Sequence, residues 1–106
     1  MKICFTAKGK EISAPMEESF GRSPYFLFYE TSSGNVETLE NPYLESQGAG
    51  IKVASLVAEK GARVVVTGRV GPKAREALKR LGIQVITGSW SSVEEALRTG
   101  NLGEIS

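Results

Sequence analysis

The chain has 106 residues, of which 41% are hydrophobic and 24% are charged, as expected for one soluble globular domain with one core. It contains no histidine and one cysteine, and all of its acidic residues are glutamates. A chain without histidine has no Ser-His-Asp or Cys-His relay and no imidazole ligand for zinc. The lone Cys4 excludes an intramolecular disulfide, a zinc ribbon and a self-contained iron–sulfur site. Most hydrolase chemistry is therefore excluded.

The charge balance is close to neutral, with 13 lysines and arginines against 12 glutamates. It lacks the strong basic excess that is typical of nucleic-acid-binding proteins. No stretch approaches the roughly 18 apolar residues of a membrane span, and Lys8 and Lys10 interrupt any signal-peptide core. We expect a cytoplasmic protein that binds neither nucleic acid nor membrane. The few Asn and Gln residues beside many charged ones favour a thermophilic, prokaryotic source.

The first half of the chain predicts three strands. Residues 2–6 form a short strand, and the polar stretch from Ala7 to Pro24 forms a loop that is long for a compact domain. Long loops of this kind are often functional. The apolar run 25–29 and the turn-forming residues 32–35 predict a hairpin whose second strand covers 36–39.

The second half alternates helices and strands, so that the order of elements is β-β-β-α-β-α-β-α. The predicted elements are a helix over 50–59 ended by Gly61, a strand over 64–66, a helix from Pro72 to Gly82, a strand over 83–86, and a helix from Ser91 or Ser92 to about Gly100. Both serines begin a Ser-x-x-Glu capping box. We expect one domain over residues 1–106, with the tail after about residue 100 loosely held.

This order brings the starts of all three helices to one edge of the sheet, because right-handed crossovers make the last two strands parallel to the first. Helix N-termini offer unpaired N–H groups and partial positive charge, and open α/β sheets bind ligands at such an edge, here between strands one and four. We therefore expect an anionic ligand. The candidate contacts are Ser19, Phe20, Gly21, Arg22, Gln47, Gly48, Gly50, Thr67, Gly68, Arg69, Gly71 and Lys73.

Each candidate segment also has a purely structural interpretation. The Gly48-x-Gly50 pair lacks the third glycine of a dinucleotide fingerprint, and the stretch from Gly68 to Lys73 lacks P-loop spacing. Both are typical of tight turns before helices. Phe20 favours packing beneath its loop over stacking on a ligand. Arg22 has nearby glutamates with which a surface ion pair is an alternative.

The motif Ser19-Phe20-Gly21-Arg22-Ser23-Pro24-Tyr25-Phe26 is followed by Asn41-Pro42, Gly48-Ala49-Gly50, Thr67-Gly68 and Gly71-Pro72-Lys73-Ala74. In this order and spacing, the pattern resembles the dinitrogenase iron–molybdenum cofactor biosynthesis family, which comprises small nitrogenase accessory factors and cofactor carriers. The resemblance covers Met1 to about Gly100. It implies a ribonuclease H-like, three-layer α/β/α sandwich with a five-stranded mixed sheet in the order 3-2-1-4-5 and without nuclease activity.

The resemblance further implies a non-enzymatic carrier of an anionic iron–sulfur or iron–molybdenum cofactor precursor, with a protein partner in cofactor assembly. Family members commonly place histidine where this chain has Ser19 and often where it has Gln47. Hydroxyl and amide groups are poor ligands for such clusters. The alternative is an anion- or nucleotide-responsive interaction module that has lost its cluster ligands. The missing His and Asp disfavour a small enzyme on this scaffold.

Overall fold

The computed structural model describes residues 1–99, and the predicted order of elements is confirmed. The predicted loose tail lies outside the described residues. The elements are β1 (Lys2–Ala7), β2 (Tyr25–Glu30), β3 (Val36–Glu40), α1 (Ala49–Glu59), β4 (Ala62–Thr67), α2 (Pro72–Arg80), β5 (Gln84–Thr87) and α3 (Val93–Thr99). No helix in this part of the chain is long and apolar enough to cross a membrane.

The strand bounds differ slightly from the predicted ones. Strand β4 begins at Ala62, which pairs with Lys2, whereas the apolar run alone predicted a start at residue 64. Strand β5 is shifted by one residue, because Thr87 pairs with Thr67 while Ile83 lies buried before the strand. Backbone pairing with a neighbouring strand, rather than apolar composition, therefore decides where these strands begin and end.

The five strands form one mixed sheet in the order β3-β2-β1-β4-β5, as predicted. Strands β1 and β2 and strands β2 and β3 pair antiparallel. Strands β1, β4 and β5 run parallel and end together at Ala7, Thr67 and Thr87. We call this the upper edge of the sheet. All three helices follow strands that end there.

The sheet is buried on both faces, which confirms the three-layer sandwich. Alternate residues of β1 point to opposite faces. Cys4 belongs to the core beneath α1 and α2, whereas Ile3 and Phe5 belong to the core beneath α3. Cys4 is fully buried, as expected for a small apolar residue. The parallel strand β4 also contributes to both cores, so the sheet has no solvent-facing side at its centre. The expectation of one core is therefore wrong, because a sheet covered by helices on both faces separates two cores.

The long connection between β1 and β2 covers the same face as α3. The backbone N–H groups of Val93 and Glu94 donate to the carbonyls of Ala14 and Ile12 at 3.1 and 2.8 Å. The hydroxyl of Thr6 donates to the carbonyl of Glu17 at 2.6 Å. The loop is therefore hydrogen-bonded to both α3 and the sheet, and it reaches the upper edge at residues 17–22.

Candidate functional site

A cleft of about 420 Å³ opens at the upper edge between the loop 19–22 and the first turns of α1 and α2. We call it the α1/α2 cleft. Its lining includes most of the predicted contacts: Ser19, Gly21, Arg22, Gly48, Gly50, Gly71 and Lys73. Sequence reasoning missed the other lining residues, which are Ala49, Ile51, Pro72 and Ala74. Their apolar side chains give no ligand signal, although their place in the first turn of a helix is visible in the sequence.

The shape of the cleft depends on two glycines. A Cβ atom on Gly21 would lie 3.1 Å from the backbone N and Cα of Gly50, and a Cβ atom on Gly50 would lie 2.9 Å from the Cβ of Ala74. Real Cβ contacts are almost never as short as 2.9 Å, and few are as short as 3.1 Å. Glycine at these positions therefore lets the loop, α1 and α2 approach one another closely enough to form a single cleft.

Both helices begin at the cleft without a side-chain cap. Gly48, with φ of 67°, precedes α1, and Gly71 precedes α2, whose first residue is a proline; neither glycine supplies a capping side chain. Within residues 1–99, no backbone or side-chain acceptor receives a hydrogen bond from the N–H groups of Ala49, Gly50, Lys73 or Ala74. These four donors therefore have no partner within the described residues, and each helix start carries a partial positive charge.

The charged side chains of the cleft are both basic. Lys73 is exposed, and Arg22 donates from Nη1 to the carbonyls of Leu44 at 2.5 Å and Ser46 at 3.5 Å. Arg22 therefore also holds the segment that leads into α1. No carboxylate lines this cleft within residues 1–99. In the part of the chain that the structure describes, Arg22 does not form the alternative ion pair with a neighbouring glutamate. The Oε1 atom of Glu18 instead lies 3.9 Å from Nη1 of Arg69.

Asn41 is a positioning residue that sequence reasoning noted only as part of a motif. Its side chain is buried, donates to the carbonyl of Ser23 at 2.9 Å and accepts from the N–H of Tyr43 at 2.8 Å. It thereby connects the loop 19–22 to the chain that enters α1. Its place before Pro42, in a connection without helix or strand periodicity, is a signal of such a turn.

Several predicted contacts lie elsewhere. The side chains of Phe20 and Thr67 are buried, which corrects their assignment as ligand contacts. The ring of Phe20 packs 6.1 Å from that of Phe26, as the alternative interpretation predicted, and the Thr67 hydroxyl lies 2.8 Å from that of Thr6. Gln47 is exposed beside the cleft but does not line it, and Arg69 is likewise exposed.

The predicted crevice between β1 and β4 is divided in two, which is a second correction. The N–H of Phe20 donates to the carbonyl of Arg69 at 3.1 Å, and the N–H of Arg69 donates to the carbonyl of Glu18 at 2.7 Å. These bonds form a partition between segments 18–20 and 68–70. The sequence gives no local sign of it, because its partners are about fifty residues apart.

A separate cavity of about 550 Å³ lies beyond the partition, on the side of α3. We call it the α3 cavity. Its lining consists of Lys8, Met16, Glu17, Glu18, Gly68, Gly88, Ser89 and Trp90. The first N–H groups of α3 are already bonded to loop carbonyls, and the hydroxyl of Ser92 accepts from the N–H of Glu95 at 3.1 Å. This cavity therefore has two carboxylates, one lysine and no free donors from α3.

Direct coordination of a metal does not fit these residues. The chain has no histidine, and Cys4 is fully buried in β1, where burial raises the pKa of its thiol far above the ordinary value. Residues 1–99 contain no group of three or more His, Cys, Asp or Glu residues that could hold a metal ion. The α1/α2 cleft offers N–H groups and cations, which suit an intact anion better than a bare metal ion.

Comparison with known proteins gives consistent matches over nearly the whole chain. An uncharacterised protein of Methanocaldococcus jannaschii is 34% identical over 102 residues, which is 92% of this chain and 83% of that protein. The apo form of the orange protein from Desulfovibrio gigas superposes with a TM-score of 0.90 at 33% identity, covering 97% of this chain and 88% of that one.

A Thermotoga protein that has been proposed to be a NifB protein also shares the fold. Its NMR structure superposes with a TM-score of 0.84 at 33% identity and covers 96% of this chain and 88% of that one. The model of the family described as dinitrogenase iron–molybdenum cofactor matches residues 1–100. The chain therefore belongs to the dinitrogenase iron–molybdenum cofactor family.

Proposed function

We propose that the protein is a non-enzymatic carrier that holds an anionic metal cluster, or a precursor of such a cofactor, in the α1/α2 cleft. The observation that supports this most directly is the composition of the cleft. Its two uncapped helix starts provide four free N–H donors, its two charged side chains are Arg22 and Lys73, and no carboxylate within the described residues opposes an anion. The cargo is bound as an intact anion, without side-chain ligands to its metal atoms.

The energetics favour this mode of binding over a chance surface contact. Hydrogen bonds to a charged partner contribute about 1.5–3 kcal/mol each, and the backbone donors need no side-chain ordering to make them. The close packing of Gly21, Gly50 and Ala74 holds the donors of two helices in one place before the anion arrives. The loss of conformational freedom on binding is therefore small.

Family membership supports a metal-containing cargo, and the likeness to a protein described as an apo form supports a site that is filled and emptied. The lining of the cleft within residues 1–99 has no histidine, thiol or carboxylate to act as a general acid, a general base or a nucleophile. These residues suit storage and transfer of a group better than its chemical conversion. A protein partner in cofactor assembly is part of the same proposal.

Anaerobic titration with tetrathiomolybdate, followed by visible absorbance, tests the proposal. Molybdate serves as the matched probe, because it has the same charge and tetrahedral shape but carries oxygen in place of each sulfur atom. We expect saturable binding of tetrathiomolybdate that Lys73→Gln weakens by roughly threefold to tenfold, since one cation at a partly exposed site is lost. Lys8→Gln, which removes a lysine from the α3 cavity, should leave the affinity unchanged. No saturable binding, or an equal loss in both variants, would overturn the proposal.

A second candidate function is an anion-responsive interaction module. The hydroxyl-bearing Ser19 in the cleft, where the family commonly has histidine, favours this alternative. It predicts that phosphate, sulfate or a nucleotide binds at least as tightly as tetrathiomolybdate in the same titration. Tighter binding of the sulfur-rich anion would support the carrier.

A further inference from the structure

An apolar groove runs between α1 and α2 on the outer surface of the molecule. It has a volume of about 540 Å³, and its apolar lining consists of Ile51, Pro72, Ala77 and Leu81. Among residues 1–99 the large apolar side chains that are well exposed are Val36 at 40%, Ile51 at 43% and Leu81 at 46%. Two of these three lie along this one groove, which we call the helix groove. Exposed apolar residues that cluster in a groove indicate a surface for a partner.

The charge around the helix groove selects the kind of partner. Helix α2 has the sequence PKAREALKR, with four basic residues and one acidic residue. The Oε1 atom of the acidic residue, Glu76, lies 3.3 Å from Nε of Arg80, so that the two charges partly neutralise each other. Arg75 and Lys79 line a separate cavity on the β5 side of α2, whereas Lys73 lines the upper end of the groove. This unpaired positive charge favours an occupant with an acidic flank at that end.

The dimensions of the groove favour a helix as the occupant. Both α1 and α2 start at the upper edge, so they run side by side and leave a continuous furrow between them. Pro72, which begins α2, and Leu81, which follows its last residue, mark the two ends of the groove, and at 1.5 Å per residue they are about 13.5 Å apart. An amphipathic helix with apolar residues at i, i+4 and i+8 presents a stripe of about that length, as in other helix-in-groove complexes.

The helix groove is continuous with the α1/α2 cleft. Ile51, Pro72 and Lys73 line both of them. A carboxylate of an occupant that approaches the upper end of the groove would therefore compete with the bound anion for Lys73. Docking of an acidic helix would weaken the hold on the anion, which is what transfer to that partner requires.

We propose that the helix groove docks an acidic amphipathic helix of the protein that receives the anion, a role that rests on the carrier function proposed above. The recipient recognises the apolar stripe from Ile51 to Leu81 and the unpaired Lys73 at its upper end. Its acidic flank then loosens the anion at Lys73. The groove thus binds the recipient, and the same binding event promotes release of the anion.

The test uses a fluorescein-labelled synthetic peptide of about five helical turns, with leucines at i, i+4 and i+8 and glutamates on both flanks. Two further peptides serve as controls: one has the same composition in scrambled order, and one has lysines in place of the glutamates. We expect anisotropy to show saturable binding of the first peptide to the full chain without any anion. The scrambled and lysine-flanked peptides should bind at least about tenfold more weakly.

Leu81→Gln removes the exposed apolar side chain at one end of the groove and should weaken binding of the acidic peptide about fivefold. Val36→Gln is the matched control, because it removes an equally exposed apolar side chain from β3. It should have no effect. Equal binding of all three peptides, or equal loss in both variants, would overturn the proposal. A dimer in sedimentation that Leu81→Gln dissociates would also overturn it, because the groove would then belong to a second copy of the chain.

Titration of the Leu81→Gln variant with tetrathiomolybdate separates this proposal from the carrier function. Leu81 does not line the cleft, so its replacement should leave the anion affinity unchanged. In the wild-type protein, saturating acidic peptide should lower that affinity about threefold, and saturating anion should lower peptide affinity by the same factor. Anion binding without peptide binding refutes only the docking proposal. Peptide binding without anion binding refutes the carrier function and with it the recipient role.

Discussion

The α1/α2 cleft and the α3 cavity lie on either side of one backbone partition at the same edge of the sheet. Helices begin near both, yet their chemistry differs. In the cleft, two helix starts lack side-chain caps and the charged lining residues are Arg22 and Lys73. In the cavity, the N–H groups of α3 are bonded to Ile12, Ala14 and Ser92, and Glu17 and Glu18 line the wall. Of the three helix starts within residues 1–99, only the two at the cleft keep first-turn N–H groups without an acceptor.

The comparison shows that a helix N-terminus is a potential anion site only while its donors are free. A serine cap or a neighbouring loop satisfies the same N–H groups that would otherwise bind a ligand. The residues Gly48 and Gly71 leave these groups open in α1 and α2, at some expense in helix stability. Substitutions at the partition, at an open helix start, in the ligand set and at the closed helix start should therefore affect the two regions differently.

The largest effect, a loss of stability, is expected from adding a methyl group to the glycine at the partition. A Cβ atom on Gly68 would lie 2.8 Å from the Cα, Cγ and carbonyl oxygen of Glu18. Gly68→Ala should therefore lower the free energy of unfolding by about 1–3 kcal/mol, the usual range for overpacking. Urea denaturation measures this difference. Gly71→Ala is the control, because nothing lies within 4 Å of its added Cβ; an equal loss there would contradict the steric argument.

Gly71→Asp should make the cleft resemble the α3 cavity. Gly71 has extended backbone angles, φ of −65° and ψ of 160°, which suit a capping residue, and a Cβ atom added there meets no neighbour within 4 Å. The carboxylate would cap α2 and repel an anion. We expect tetrathiomolybdate affinity to fall about tenfold or more, with helix stability unchanged or raised by a few tenths of a kcal/mol. Unchanged affinity would show that the start of α2 does not contact the anion.

Ser19→His tests the absence of metal ligands in the cleft. Ser19 is half-buried in the cleft lining, and an imidazole there would supply a ligand for iron. Anaerobic titration with a synthetic iron–sulfur cluster that has exchangeable thiolate ligands should show affinity rising roughly tenfold, which corresponds to 1.4 kcal/mol. Ser89→His is the matched control, because Ser89 is exposed in the α3 cavity. A similar gain in cluster affinity in both variants would mean that the imidazole binds the cluster without any contribution from the cleft.

The smallest effect is expected from removing the N-terminal cap of α3, whose first N–H groups are already hydrogen-bonded. Ser92→Ala removes the acceptor of the Glu95 N–H and should cost about 1 kcal/mol of unfolding free energy, measured by urea denaturation. Tetrathiomolybdate affinity should stay the same, because the loop carbonyls still occupy the other donors of α3. An increase in affinity would place the anion near α3 and contradict the distinction between the two regions.

Much of the candidate site follows from local patterns in the sequence. Gly48, Gly50, Gly71 and Lys73 were predicted at the cleft because glycine before an apolar period marks the start of a helix, and the order of elements places those starts at one edge. The capping box had two registers in the sequence, and Ser92 is the residue that caps. The hydroxyl of Ser91 instead contacts the carboxylate of Glu95. Local chemistry allows both registers, and the position of the chain entering α3 selects one.

The sequence by itself determined the order of elements and the edge at which the helices begin, and its resemblance to a known family implied the strand order of the sheet. The order of elements and the common edge depend on apolar periodicity, on turn residues and on the handedness of crossovers, all of which act locally or through general rules. Tertiary structure alone decided that Phe20 and Thr67 are buried, that the partition divides the crevice, and that Ala14 occupies a donor of α3. Each of these depends on contacts between residues far apart in the chain, and no local pattern specifies which distant carbonyl will meet a given N–H group.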